Sequence, residues 1–122
     1  MKTYFDGKSH PLVEITVAGM EKTATFPALI DTGFDGYLSL PLSLALPLGL
    51  KLFFHATVAL ADGSTREELL FEAKVKLGRK WQGASVFINR GSVALLGTKL
   101  LENSKLLLDF PNQKIQIQSS WN

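Results

Sequence analysis

The chain has 122 residues, 46% of them apolar, with 13 basic and 11 acidic side chains for a net charge of +2, and no cysteine. This length suits one domain, 1–122, with a core of its own. The missing cysteine excludes a disulfide scaffold, thiol catalysis and zinc–thiolate sites. Lys105, Lys114 and Arg79-Lys80 form no stripe interleaved with aromatics, so no nucleic-acid surface is expected. The apolar runs fall well short of a membrane span and Met1-Lys2-Thr3-Tyr4 opens no signal peptide, so the expectation is a soluble cytoplasmic protein with no membrane partner.

Leu12-Val13-Glu14-Ile15-Thr16-Val17 alternates apolar and polar with a period of two, the pattern of a half-buried strand. Ala18 to Lys22 reads as a turn and Thr23 to Phe26 as the returning strand of a hairpin. Pro27 is read as punctuation before a new apolar run, Ala28-Leu29-Ile30, which ends at Asp31-Thr32-Gly33. Phe34-Asp35-Gly36 completes a tight turn, and Tyr37-Leu38-Ser39-Leu40 resumes strand alternation. Leu42 to Leu50, closed by Pro47 and Gly49, predicts one short helical turn and a stop, its leucines serving as core or lying under a neighbouring loop.

Phe53 to Leu60 predicts a strand, and Ala61-Asp62-Gly63-Ser64 a hairpin turn of the primed type that Asp-Gly favours. Thr65 to Leu77 is the long return strand, with alternation at Phe71, Ala73, Val75 and Leu77. Gly78 to Gly83 reads as a further turn, polar apart from Trp81, and Ala84 to Ile88 as a strand. Asn89-Arg90-Gly91-Ser92 leads into Val93 to Leu96. Thr98 to Asn103 is the other plausible helix. Leu106 to Phe110 and Ile115 to Gln118 are strands joined by Pro111-Asn112-Gln113. Short strands at regular spacing predict an all-β barrel or sandwich with one or two short helices.

The candidate chemistry lies at Asp31-Thr32-Gly33. The turn carries a carboxylate at the end of a buried strand; Thr32 offers a hydroxyl to lock the turn, and Gly33 lets another backbone approach closely. An Asx-type turn between two strands explains the bare triplet without chemistry. The flanks add to it: Ala94-Leu95-Leu96-Gly97-Thr98-Lys99-Leu100-Leu101 repeats the theme of an apolar strand, a glycine and a helix-like segment. No nucleophile system surrounds His10 or His55, and no ligands stand at metal spacing. Glu67-Glu68 reads as a solvated strand start, and Asp62-Gly63 as a turn and not a calcium loop.

Asp31-Thr32-Gly33 together with Leu95-Leu96-Gly97 resembles the retropepsin-like aspartic proteases, from about Leu12 to Ile117. The Phe34 after the triplet, Leu38-Ser39-Leu40-Pro41 and Ala61-Asp62-Gly63-Ser64 are similar to the bacterial single-domain branch. The resemblance implies an acid-protease fold and an aspartic endopeptidase without cofactor or metal. The Asp62-Gly63 hairpin would be the flap over a peptide or protein substrate. Asp6, Asp35, Asp62 and Asp109 lack the triplet, so two chains would each supply Asp31, making a homodimer. Thr32 would bond across to the other turn, Ile115 to Gln118 would seal the dimer, and Trp121 is either an interface anchor or part of a frayed tail.

Two positions depart from retroviral and pepsin-like members. Phe34 replaces a small residue, which narrows a substrate pocket, sets an unusual specificity or blocks peptides. Thr98 stands where retroviral members carry Arg, leaving Asp35 either to accept bonds from a peptide backbone or to hold the turn. Two rivals follow: a catalytically silent binding module of the same fold, for which Asp31→Asn is harmless, and a small β protein that pairs its edges with another chain.

Overall fold

The computed structural model describes residues 1–119; Trp121 lies outside them. The strands are β1 (Thr3–Phe5), β2 (Pro11–Ala18), β3 (Thr23–Ile30), β4 (Leu38–Pro41), β5 (Lys51–Ala59), β6 (Thr65–Leu77), β7 (Lys80–Asn89), β8 (Ala94–Leu96), β9 (Ser104–Asp109) and β10 (Lys114–Ser119). One helix, α1 (Leu42–Leu48), and one 3₁₀ turn, Thr98–Leu101, complete the described elements. Among the described residues no helix is long and apolar enough to cross a membrane.

Six strands close a barrel in the order β2-β3-β8-β4-β7-β6, the last returning to β2 through Thr16↔Lys76, Val17↔Val75 and Ala18↔Lys74. Closure removes edges that would otherwise stay unpaired. The period-two pattern sends Val13, Ile15 and Val17 of β2 fully inside, where they meet Ala28 and Ile30, Leu38 and Leu40, Val75, Val86 and Leu96. Each large aliphatic buried this way contributes roughly 1.5–3 kcal/mol. The β9–β10 hairpin is a separate two-stranded sheet whose Leu106, Ile115 and Ile117 pack on the core. Phe5 and Phe110 meet as a tilted pair, ring centres 5.0 Å apart, between this hairpin and β1.

Several sequence expectations need correction. Pro27 does not break the chain; it lies within β3, opposite Glu14. β8 joins β3 only at Ala28, so Pro27 sits where that edge is still free and a missing N–H costs little. The turn expected over Gly78 to Gly83 is confined to Gly78 and Arg79, because Lys80 to Gly83 pair with Lys74 to Leu77 and extend the β6–β7 ladder. α1 runs seven residues with Pro47 in its last turn, and ends at Gly49 in the left-handed conformation; Leu48 is buried, but Leu42 and Leu46 face solvent and are neither core nor covered. The short strand β1 had no signal of its own; it forms by pairing with Val13, Leu12 and Pro11.

The β5–β6 hairpin leaves the barrel as an arm. β6 pairs with β7 only from Phe71 onward, so Thr65 to Leu70 have β5 as their sole partner. At the tip Gly63 is left-handed, with φ of 87°, but Asp62 is not. The expected type I′ turn needs both central residues left-handed, and type II′ needs the first; Asp62 meets neither requirement, and the loop is instead a type I turn followed by a left-handed glycine. Gly63 N–H donates to the Leu60 carbonyl at 3.0 Å and Leu60 N–H to the Ser64 carbonyl at 2.8 Å. The Asp62 carboxylate selects this form by accepting from Ser64 N–H (2.9 Å) and Ser64 Oγ (2.5 Å).

Those bonds give the tip a pH dependence. The Ser64 hydroxyl, and after it the Ser64 amide, hold the Asp62 carboxyl below its ordinary value of 3.8. The capped tip is therefore fully stabilised above 3.8 and loses that contribution as pH falls through the depressed value. In an acid NMR titration the Ser64 amide resonance should move with a midpoint below 3.8, and Asp62→Asn should abolish the step. A midpoint at or above 3.8 would contradict the capping.

Along the arm, Glu67 accepts from Thr57 Oγ1 (2.8 Å) and pairs with His55, while Arg66 pairs with Glu68. Glu67 and Glu68 thus stand in exposed pairs of the kind that contribute little to stability. Phe54, Val58 and Leu60 are exposed on the same arm.

Candidate active site

The parallel pairing of β3 with β8 builds the site. Ile30 lies opposite Leu96, so both strands leave the barrel together and deliver Asp31 and Gly97 to one place. Asp31 N–H donates to the Leu96 carbonyl at 3.0 Å, the last bond of that ladder. The chain then turns on itself: Gly33 N–H donates to Asp31 Oδ1 (3.0 Å) and Phe34 N–H to the Asp31 carbonyl (3.1 Å). One carboxylate oxygen holds the turn. Thr32 and Gly33 are exposed and Asp31 is half-buried.

The segment after Leu96 is the seat of this turn. Gly97 N–H donates to the Tyr37 carbonyl (2.9 Å), Thr98 N–H to the Phe34 carbonyl (2.9 Å) and Lys99 N–H to the Gly36 carbonyl (3.1 Å). A side chain at Gly97 would place its Cβ 2.1 Å from the Gly36 carbonyl oxygen. Glycine is thus required here by close approach of two backbones. Thr98 adds its hydroxyl to the Phe34 carbonyl at 3.4 Å. Asp35 is exposed and has no hydrogen bond or ion pair among the described residues.

Phe34 is half-buried. Its ring occupies space left by two glycines: a Cβ on Gly36 would meet it at 2.6 Å and one on Gly97 at 2.8 Å. It also meets Phe87 edge-on at 6.2 Å. Asp62 and Gly63 lie on the separate arm, and no bond joins that tip to the Asp31 turn among the described residues. No group of three or more acidic or histidine side chains is placed to hold a metal ion among the described residues.

Sequence reasoning missed a polar link beside the site. Asn89 Nδ2 donates to the buried Ser39 Oγ (2.9 Å) and to the Val93 carbonyl (3.2 Å), and Asn89 Oδ1 accepts from Gly91 N–H (2.9 Å). One amide thereby fastens the loop before β8 onto β4. The turn signal at Asn89-Arg90-Gly91-Ser92 was visible, but its partner Ser39 was not, since it lies fifty residues earlier. Asn89→Ala should cost about 1–2 kcal/mol, because it leaves Ser39 buried without that donor. Urea unfolding reads this; an unchanged midpoint would mean the link carries no stability.

No protein-family model matches the chain, and no curated protein matches it at the level of sequence. Among solved structures it is similar to the EIAV protease, a retroviral enzyme solved with the inhibitor HBY-793. The two superpose with a TM-score of 0.61 at 18% identity, over 85% of this chain and 98% of that one. The fold is therefore retropepsin-like: a closed six-stranded barrel with one short helix.

Proposed function

We propose that this chain is an aspartic endopeptidase that acts as a homodimer, each copy supplying Asp31 to a shared dyad. The observation that carries the proposal is the Asp31 turn itself. It sits at the end of β3, seated on Gly97, with Thr32 and Gly33 facing solvent. A carboxylate in that seat has a defined direction and an open side, and one chain holds a single such turn. The likeness to the EIAV protease fold supports the same reading.

The mechanism follows from two carboxylates sharing a small space. Both cannot be ionised together, so the pair holds one proton. The ionised Asp31 takes a proton from a water, and the protonated one polarises the scissile carbonyl. Gly33 N–H, by donating to Asp31 Oδ1, fixes the orientation of each carboxylate and leaves Oδ2 for the chemistry. Thr32, whose hydroxyl has no partner among the described residues, links the two turns. The outer edge of β10, including Ile115 to Gln118, joins the copies, and the arm tip at Asp62 and Gly63 covers an extended peptide. Asp35 accepts from the peptide backbone, and Phe34, through its edge-on contact with Phe87, shapes the adjoining pocket. By Phe34, Leu38 to Pro41 and Ala61 to Ser64 the chain would stand with the bacterial single-domain branch of such enzymes.

The test is cleavage of a diverse pool of unstructured peptides, read by mass spectrometry from about pH 3 to pH 8, with the dimer followed by sedimentation. Cuts that require Asp31 support the peptidase. A sedimenting dimer that cuts nothing at any pH overturns it in favour of a silent binding module.

A further inference from the structure

One concavity of the described residues lies away from Asp31. A groove of about 710 Å³ lies on the outside of the barrel, at the root of the β5–β6 arm. Its floor is the outer face of β6 and β7 at Lys74, Gly83 and Ser85; its walls are Met20, Tyr37 and Phe53. That volume falls in the range of small-molecule sites, roughly 300–1,000 Å³.

Three features make this more than a gap between strands. The β5–β6 register shifts between Leu52 and Phe54, so Phe53 is the extra residue of a bulge, and a bulge re-aims its side chain. Here Phe53 lines the groove while remaining 50% exposed, and Met20, which lines it too, is 69% exposed. Next, Gly83 opens the floor: a Cβ built there meets nothing within 4 Å, and its backbone is not left-handed. Finally the charges are unbalanced. Lys51 Nζ stands 3.9 Å from Glu72 Oε1, whereas Lys74 has no carboxylate partner among the described residues. An exposed aromatic, a thioether and a tyrosine converging beside one uncompensated ammonium fit an apolar body that carries an anion.

We propose that this groove binds a small ligand with an aromatic or branched apolar body and one carboxylate, the body between Phe53, Met20 and Tyr37 and the carboxylate on Lys74. Neither peptide hydrolysis nor the dimer is needed for this binding. Two sources offer the chemistry: a free small organic acid, or a peptide ending in an apolar residue with its α-carboxylate free.

The experiment is an NMR titration of the intact chain with 3-phenylpropionate and with acetyl-Leu-Phe, each beside its C-terminal amide. Saturable shifts at Gly83, Ser85 and the Met20 methyl are expected for an acid, at least about 5-fold tighter than for its amide. Binding of phenylpropionate alone assigns a free acid, and binding of the peptide acid alone assigns a chain terminus. Lys74→Gln should remove the acid's advantage over the amide, and Gly83→Leu should abolish binding by filling the floor. Ser85→Phe serves if Gly83→Leu fails to fold. No saturable shifts with either acid, equal binding of acid and amide, or binding that survives a folded floor-filling variant would overturn the proposal.

Discussion

Asp31→Asn should abolish peptide cleavage while leaving the fold intact. The proposed dyad needs one ionised and one protonated oxygen facing a water, and an amide supplies neither the base nor the shared proton. Loss of a general base alone costs about 10²–10⁴-fold, and here both halves of the pair change at once, so activity should fall by at least ~10³-fold. Stability should hardly move. The oxygen of the substituted amide can still accept from Gly33 N–H, and the backbone bond to Leu96 is untouched. We expect the unfolding free energy in urea to stay within about 0.5 kcal/mol of wild type. Mixing sharpens the test. If copies exchange freely, an equimolar mixture of wild type and Asp31→Asn holds about one quarter wild-type dimers and should show about one quarter of the wild-type activity. A site made within one chain would retain half. Activity at half would overturn the shared dyad, and cleavage surviving in the pure variant would remove Asp31 from the centre of the mechanism.

Much of this architecture was readable from residue order because it rests on short-range patterns. Period-two alternation in Leu12 to Val17 and in the Phe71-Ala73-Val75-Leu77 series became buried faces. The Asp31 and Leu96-Gly97 segments, singled out as two statements of one theme, became neighbours through the parallel β3–β8 pairing. What stayed hidden depends on who arrives beside a residue. Pro27 reads as a breaker until β8 is seen to join one residue later. Trp81, Gln82 and Gly83 look like a polar turn until the tail of β6 pairs with them. The turn type at Asp62 is decided by a side-chain bond to Ser64 that overrides the Asp-Gly preference. The setting of Phe34 requires two glycines, one of them far along the chain, whose missing side chains make room for its ring. The fold is thus a property of patterns, while the shape of the site is a property of contacts between distant loops.

Gly97→Ala should be strongly destabilising, although it adds a single methyl and involves no strained backbone. At φ of −91° and ψ of 173°, Gly97 has an extended conformation open to any residue, so no left-handed penalty applies. The cost is contact alone. Cβ would stand 2.1 Å from the Gly36 oxygen and 2.7 Å from its carbon, and these are backbone atoms that cannot rotate aside. Overpacking costs about 1–3 kcal/mol where side chains can yield. Here the relief must come from displacing the Gly36 segment, which also breaks the Lys99 to Gly36 and Gly97 to Tyr37 bonds. We expect a loss of about 3 kcal/mol or more in urea unfolding. Two other glycines calibrate it. Gly63→Ala meets nothing within 4 Å but carries φ of 87°, and should cost about 1 kcal/mol through the backbone. Gly83→Ala meets nothing and has no such φ, and should be neutral or slightly stabilising. The order Gly97 ≫ Gly63 > Gly83 separates close approach from backbone strain. It also predicts where function fails: the Gly36 segment closes the turn that Asp31 opens, so Gly97→Ala protein that still folds should lose cleavage with Asp31 present. A Gly97→Ala unfolding free energy within about 0.5 kcal/mol of wild type would show that the turn does not rest on Gly97.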